Sequence, residues 1–452
     1  MSKPTPLSGF PEFLPEQRVV ELQVIDRLRR TFELNGFANI ETRAVEPLDQ
    51  LLRKGETSKE VYVLRRLQAE EQHADSGMGL HFDLTVPFAR YVLENAGKLE
   101  FPFRRYQIQK AWRGERPQEG RFREFTQADI DVVGKDVLAF HHDIEVARVM
   151  AEALVDLPLP PMRLQVNNRK LIQGFYQGIG AEDIESVMRV IDKVDKVPPE
   201  VIAKMLVDEA GLTDAQAAQC LDLAEIRSTD MGFVHRVRAL GVENDLLEEG
   251  LSELEAVLTG CSSITSERFV VEADLRVARG LDYYTGTVFE TVMEGFESLG
   301  SICSGGRYDA LASDGRTTYP GVGISFGISR TLVPLIQRGL LGSDRKVPSA
   351  VLVALNDETS RPVSDAIAKR LRARGIATEV AAAPQKFGKQ IRYAERRGIP
   401  FVWFPGPAEG GGPDQVKDIR TGEQVEADPD IWEPAPSDLA PTIVSHTPEE
   451  LS

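Results

Sequence analysis

The segment "RRYQIQKAWRGERPQEGRFREFTQADIDVVG", residues 104–134, decides the architecture. Its two ends alternate in strand fashion and a charged turn separates them, the pattern of antiparallel strands joined by a long hairpin loop. The turn, from Arg113 to Phe125, interleaves Arg113, Arg116, Arg121 and Arg123 with Glu115, Glu119 and Glu124, and Gly120 permits a tight reversal. A solvated hairpin with surface ion pairs is one reading, since such pairs contribute little each. A polyphosphate ligand is the other, because arginine forks match phosphate oxygens two at a time.

Outward from the hairpin, "PEQRVVELQVIDRLRRTFELNGF" reads as a helix with Leu22, Ile25, Leu28 and Phe32 at steps of three and four, opened by Pro15 and stopped at Gly36. "ANIETRAVEPL" reads as strand-like. "LHFDLTVPFARYV", residues 80–92, reads as a further strand, which places Asp83 and Thr85 on one face, either as its solvent side or as an ammonium-binding pair. A helix is expected from Val137 to Leu157. Residues 166–266 are helical in period and predict an all-helical insertion. Strands resume at "RFVVEADLRVARGLDYYTGTVFETVM" and at "GVGISFGISRTLVPLI". From Lys346 onward strands and helices alternate, which predicts a small α/β domain with a partly parallel sheet. The tail after Pro434 is proline-rich and acidic, and is expected to be poorly ordered.

A chain of 452 residues is too long for one typical domain. Its 42% hydrophobic and 27% charged content describe an ordinary globular protein with no membrane span. No secretory leader opens it. The three cysteines, Cys220, Cys261 and Cys303, are widely spaced, which fits a reducing cytosol and excludes a disulfide framework or a cysteine zinc site. His141 and His142 are neighbours on a predicted helix, where adjacent residues point about 100° apart, so no metal role is assigned to them. A net charge of −17 argues against non-specific coating of nucleic acid, while leaving room for local basic patches.

Two segments resist a bland reading. "ARGLDYYTGTVFE", residues 278–290, sets an arginine and paired tyrosines on a strand-like edge, and "GVGISFGISR", residues 321–330, is a glycine-rich strand that another backbone or a flat ring can approach closely. With the arginine hairpin, the Asp83–Thr85 pair, Gln127 and Asp131, they describe a site for a nucleoside triphosphate beside a small zwitterion.

These segments, together with "SGGRYDAL", resemble the signatures of the histidyl-tRNA synthetases, which are class II aminoacyl-tRNA synthetases; the resemblance runs from "FLPEQ" to "VKDIRTGEQ". It implies an α+β fold: an antiparallel catalytic sheet flanked by helices (1–165 and 267–340), a helical insertion (166–266), a C-terminal α/β anticodon-binding domain (346–434) and a tail (435–452). It implies ATP and Mg²⁺, no prosthetic group, histidine and its tRNA as substrates, a homodimer and a cytoplasmic location. By motif, Arg113 and Arg279 become the catalytic arginines, spanning the histidine carboxylate and the α-phosphate. Glu115 and Phe125 take the adenine, and Arg121 and Arg330 the outer phosphates. Asp83, Thr85 and Gln127 hold the ammonium. Asp131 and Tyr284 bracket the imidazole, with Tyr283 and Tyr308 beside them. Lys369, Arg370, Arg372, Arg374, Lys386, Lys389, Arg392, Arg396 and Arg397 become anticodon-stem contacts. The chain departs from the family at Arg43, where a proline is usual near the dimer interface, at Asp131, which some members carry as glutamate, and at the opening "SGFPEFLP". A non-aminoacylating paralogue, the regulatory subunit of ATP phosphoribosyltransferase, is the nearest rival, but such chains lack the anticodon domain and degrade the tyrosine segment.

Overall fold

The hairpin of residues 104–134 lies within a nine-stranded sheet. The computed structural model describes residues 4–52, 59–66, 77–277, 284–310, 312–407 and 412–446. They form two compact units, one from Met1–Pro11 and Ile25–Pro334, the other from Glu12–Val24 and Leu335–Ser452. Strands of the first are β1 (Ala38–Asn39), β2 (Val45–Pro47), β3 (Met78–Leu80), β4 (Phe103–Trp112), β5 (Glu124–Val133), β6 (Met162–Asn168), β7 (Arg227–Ser228), β8 (Phe269–Asp274), β9 (Thr287–Met293), β10 (Cys303–Tyr308) and β11 (Gly321–Gly327). β2 pairs with β3, and the others run in the order β1-β4-β5-β11-β10-β9-β6-β8-β7. Neighbours are antiparallel except β1 with β4 and β6 with β8.

Strand periodicity gives β5 two unlike faces. Ala128, Ile130 and Val132 are wholly buried on one. Gln127, Asp129 and Asp131 alternate with them on the other. Helix α1 (Pro15–Leu34) is divided between the two units at Ile25, and the first unit further holds α2 (Leu48–Leu51), α3 (Thr85–Asn95), α4 (His141–Val155), α5 (Arg169–Gly178), α6 (Ile184–Ile191), α7 (Pro199–Ala210), α8 (Asp214–Ala224), α9 (Gly232–Arg238) and α10 (Asp245–Cys261). α4 packs against β5 and β11 on the apolar face. It is pinned there by Arg307 of β10, whose Nη2 meets Asp143 at 2.6 Å while Nε spans both carboxylate oxygens. The helix α1 forms as predicted, but its buried positions are Val20, Val24, Leu28 and Phe32, whereas Leu22 is exposed.

Three expectations are corrected. Residues 80–92 are not a strand: α3 begins at Thr85, with Asp83 Oδ1 accepting from Val86 N at 3.0 Å and Pro87 in the first turn, where no N–H is required. Val86, Ala89 and Val92 supply a three-residue spacing that overlay the apparent alternation. Residues 166–266 are not wholly helical, because β6 runs to Asn168 and β7 extends the sheet edge, while α10 packs on α4, α5, β6 and β8. "GVGISFGISRTLVPLI" changes from β11 to helix α11 (Ile328–Gln337) at Ile328.

The second unit holds β12 (Leu341–Ser343), β13 (Val351–Val353), β14 (Thr378–Val380), β15 (Phe401–Phe404), β16 (Gln415–Asp418), β17 (Gln424–Glu426) and β18 (Ile443–Ser445), with α12 (Arg361–Ala373) and α13 (Phe387–Arg397). Its five-stranded sheet, ordered β14-β13-β15-β16-β17, is parallel around β13 and antiparallel beyond β15, matching the partly parallel sheet expected. Trp403 and Leu371 are wholly buried in its core. The tail expected to lack order instead pairs β18 with β12, and Asp344 accepts from Thr442 N at 2.7 Å. Cys220, Cys261 and Cys303 are free and buried, and burial pushes the first two thiols up to about 12, so they are not nucleophiles at neutral pH. No helix among the described residues is long and apolar enough to cross a membrane.

Candidate active site

The polar face of the sheet carries a cavity of about 100 Å³ lined by Asp83, Thr85, Arg113, Gln127, Asp129, Asp131, Tyr284 and Tyr308, together with glycines of β10 and β11. Register explains the convergence. Asp131 pairs across the ladders with Arg105 on β4 and Gly323 on β11, and Gly306 pairs with Gly323 from β10. A Cβ on Gly323 would collide with Asp131 Oδ1, and one on Gly321 would lie 2.5 Å from the Tyr308 ring. The glycines therefore leave room for a carboxylate and an aromatic ring, as a glycine-rich strand can. Tyr308 uses that space to donate its hydroxyl to Asp131 Oδ1 at 2.8 Å.

Further along β5, Gln127 Nε2 donates to Ser325 Oγ at 2.8 Å, and Ser325 in turn donates to Asp129. Gln127 Oε1 is buried and has no hydrogen-bond partner among the described residues. Such an orphaned acceptor is costly unless a ligand donor reaches it. The carboxylates gather negative charge, and Asp129 is pushed up to about 7 by burial, with Asp131 and Asp83 adding to the rise and Arg105 opposing it.

A second cavity of about 110 Å³ is lined by Arg113, Glu115, Arg121, Phe125, Gln127 and Arg330, with Ser304 and Ser325. Arg113, Gln127, Ser304 and Ser325 line both spaces. Arg113 sits at the junction, its Nε donating to Phe82 O at 3.0 Å and its guanidinium 5.1 Å from the Phe125 ring. Arg121 faces Glu115 at 3.5 Å, and Arg330 Nε donates to Leu299 O at 3.0 Å. The hairpin is held by the N-terminal segment: Gly9 O accepts from Arg123 N at 2.7 Å and Glu124 N at 3.1 Å, and Gly9 has φ +83°.

Every described residue that the sequence assigned to histidine or ATP thus reaches one of the two cavities. Arg279 and Tyr283 lie outside the described residues. Sequence reasoning missed Asp129, Ser325 and Arg105. Asp129 was legible, because strand period places it on the face of Gln127 and Asp131; the other two depend on register between strands. His141, His142 and Glu145 bring ligand atoms within 4.8 Å of one another, despite the adjacency argument. Glu145 is nevertheless committed to His142 Nδ1 at 2.6 Å and Arg104 Nε at 3.0 Å, so a guanidinium already occupies the cluster. Arg43, at the expected dimer interface, is engaged by Glu46 and Glu94 at 3.3 and 3.4 Å.

In the second unit the basic residues divide. Arg370 is paired with Asp428 at 2.9 Å and also meets Asp430, while Arg374 donates to Pro429 O and Trp432 O at 3.1 and 2.6 Å and meets Glu433 at 2.9 Å. Lys389, Arg392 and Arg396 instead line a cavity of about 550 Å³ on α13, beside Tyr393 and Gln385.

Residues 9–331 match the family model of histidyl-tRNA synthetase, and residues 349–430 match an anticodon binding domain. A histidine–tRNA ligase of Cutibacterium acnes is 58% identical, the alignment covering 98% of this chain and 99% of the relative. One from Micrococcus luteus is 57% identical over the same shares. The crystal structure of a histidyl-tRNA synthetase from a Nostoc species superposes with a TM-score of 0.84 at 34% identity, covering 95% of this chain and 98% of that one. With a match of that length and identity on a sheet that carries both cavities, the chain belongs to the histidyl-tRNA synthetase family, the ligases that join histidine to tRNA.

Proposed function

We propose that the two cavities hold histidine and ATP side by side and carry out both steps of aminoacylation. The observation that carries this reading is the sharing of Arg113 and Gln127 by an acidic, tyrosine-bearing cavity and an arginine-rich one. In the first step a histidine carboxylate oxygen attacks the α-phosphorus, the bond to the β-phosphate oxygen breaks, and pyrophosphate leaves. In the second a hydroxyl of the tRNA terminal ribose attacks the acyl carbon and AMP departs.

Joining two anions requires positive charge where they meet, and a guanidinium supplies it without a proton to lose. Arg113 takes that role at the junction, with Arg279 as its partner. Arg121 and Arg330 bind the outer phosphates, Phe125 stacks on the adenine, and Glu115 accepts from its amino group. Mg²⁺ arrives as part of the ATP substrate and neutralises the leaving pyrophosphate. Asp83, Thr85 and the orphaned Gln127 Oε1 receive the ammonium. Asp131 accepts from one imidazole nitrogen and the tyrosine side of the pocket, Tyr284 with Tyr283, meets the other, which fixes a tautomer and rejects analogues lacking both nitrogens. Tyr308 holds Asp131 from the pocket wall.

The α13 face, with Lys389, Arg392 and Arg396, receives the anticodon arm of tRNA. The helical segment α5–α10 clamps the acceptor stem, and the working enzyme is a cytoplasmic homodimer. ATP–pyrophosphate exchange run with each amino acid in turn tests the core claim. Exchange with histidine alone is expected; none, or exchange with another amino acid, overturns it.

A further inference from the structure

Behind the pocket, Arg105 has no solvent exposure at all, and its Nη2 stands 2.6 Å from Asp131 Oδ2. Asp131 is then held from two sides, because Tyr308 occupies Oδ1. The guanidinium lies 4.2 Å from the Phe88 ring on α3, the helix whose first turn carries Thr85. Its Nη1 reaches Gln107 at 3.4 Å, and Gln107 is itself fixed by Thr42 at 2.9 Å. Nε and Nη2 find no acceptor with hydrogen-bond geometry among the described residues, so the contact with Asp131 is one of charge and not a directed bond.

A buried arginine cannot shed its charge, and leaving it uncompensated in an apolar site is prohibitive. Among the described residues two carboxylates are near enough to answer it, Asp131 at 2.6 Å and Asp129 at 3.9 Å. Asp131 is the nearer by more than 1 Å, and burial holds the Asp129 carboxyl up at about 7, so Asp131 is the closer counter-ion.

We infer that Arg105 is a positioning residue for histidine recognition: it keeps Asp131 ionised and fixed, so that the carboxylate only accepts and the substrate imidazole must present an N–H to it. Arg105 touches no substrate and acts through Asp131 alone. The inference rests on the reading of Asp131 as the imidazole partner. Among the described residues, the charged and titratable groups that share the cavity with Asp131 or pair with it are Asp129 on its own strand, Arg105 on β4, Tyr308 on β10, Tyr284 before β9, Asp83 before α3 and Arg113 of the hairpin.

The test is pyrophosphate exchange against pH with the full-length Arg105→Met and Arg105→Lys variants and, alongside, Asp131→Asn. Arg105→Met keeps the stem over Phe88 and removes the charge. It is expected to raise KM for histidine at least tenfold, to leave KM for ATP within about twofold, and to move the acid limb of kcat/KM for histidine up by about one pH unit, with Arg105→Lys recovering most of the loss. Titration of free histidine is common to all variants and cancels. An equal rise in both KM values, or an unmoved acid limb, overturns the inference. Should Arg105→Met fail to fold, Arg105→Lys decides: a histidine KM within about threefold of the parent at an unmoved limb supports the charge role, and a shifted limb or a rise shared by both substrates overturns it. If Asp131→Asn raises the histidine KM while Arg105→Met does not, the Arg105 inference alone fails; if Asp131→Asn also leaves it unchanged, the reading of the pocket fails with it.

Discussion

Asp131 and Gly323 are cross-strand partners on β5 and β11, and the Asp131 carboxylate occupies the space that a side chain on Gly323 would need. The Asp131 carboxylate is therefore placed as much by a missing side chain as by its own strand. Gly323→Ala puts a methyl group against Oδ1 and must displace either the carboxylate or the strand. Because a shift of about 1 Å in a reacting constellation can cost about 10²-fold, kcat/KM for histidine in exchange assays is expected to fall by at least that factor. Retained histidine kinetics in a folded Gly323→Ala protein would show that the pocket is adaptable.

The Asp143–Arg307 pair joins α4 to β10 where neither residue is more than 8% exposed. Removing one partner strands a buried charge, so Asp143→Ala is expected to cost about 3–5 kcal/mol, read as a lower urea midpoint. Replacing both residues, with Asp143→Leu and Arg307→Met together, should recover most of the loss, because apolar packing requires no counter-charge.

Asp129 gives stability a pH dependence of stated sign. Burial raises its pKa from 3.8 to about 7, so between those values the folded protein holds a proton that the unfolded chain releases. Stability contributed by the protonated form is complete below about pH 4 and is lost as pH rises toward 7, on the order of 4 kcal/mol in all. Asp129→Asn should flatten this slope in thermal melts, leaving the variant more stable relative to the parent at pH 8 than at pH 4. Parallel curves would mean that Asp129 titrates as an ordinary carboxylate.

The uneven use of basic side chains in the second unit separates the proposed RNA contacts from internal ones. Lys389→Glu and Arg396→Glu, on the open α13 cavity, are expected to raise KM for tRNA about tenfold or more and to lower the salt dependence of aminoacylation, with exchange unaffected. Arg370→Ala removes a guanidinium already answered by Asp428 and Asp430, and should change KM for tRNA by less than about twofold. Equal effects at all three positions would place the RNA across α12 as well.

In the proposed mechanism Arg279, as partner of Arg113, acts on charge that develops only in the transition state. Arg279→Ala is accordingly expected to slow adenylate formation by about 10² or more in single-turnover assays, with histidine affinity less affected. Near-normal turnover would assign it a structural part.

The sequence by itself determined much of this protein. Alternation marked β4 and β5, strand–helix rhythm marked the second unit, and the spacing of Arg113, Glu115, Arg121, Phe125 and Gln127 on one hairpin announced the site, because those residues are neighbours through local periodicity. Where two periods overlapped, as in residues 80–92, local pattern misled: Asp83 decided the outcome by capping α3, and that bond forms only once the chain turns. The tail, too, was polar enough to read as loose, yet its backbone finds an edge at β12. Only tertiary structure decided what stands behind the Asp131 carboxylate. Arg105, Tyr308 and Gly323 come from three strands, β4 lying far in the chain from the consecutive β10 and β11, and inter-strand register sets which of them meet Asp131. No spacing within one segment encodes that register; it follows from which faces must be buried across the whole sheet.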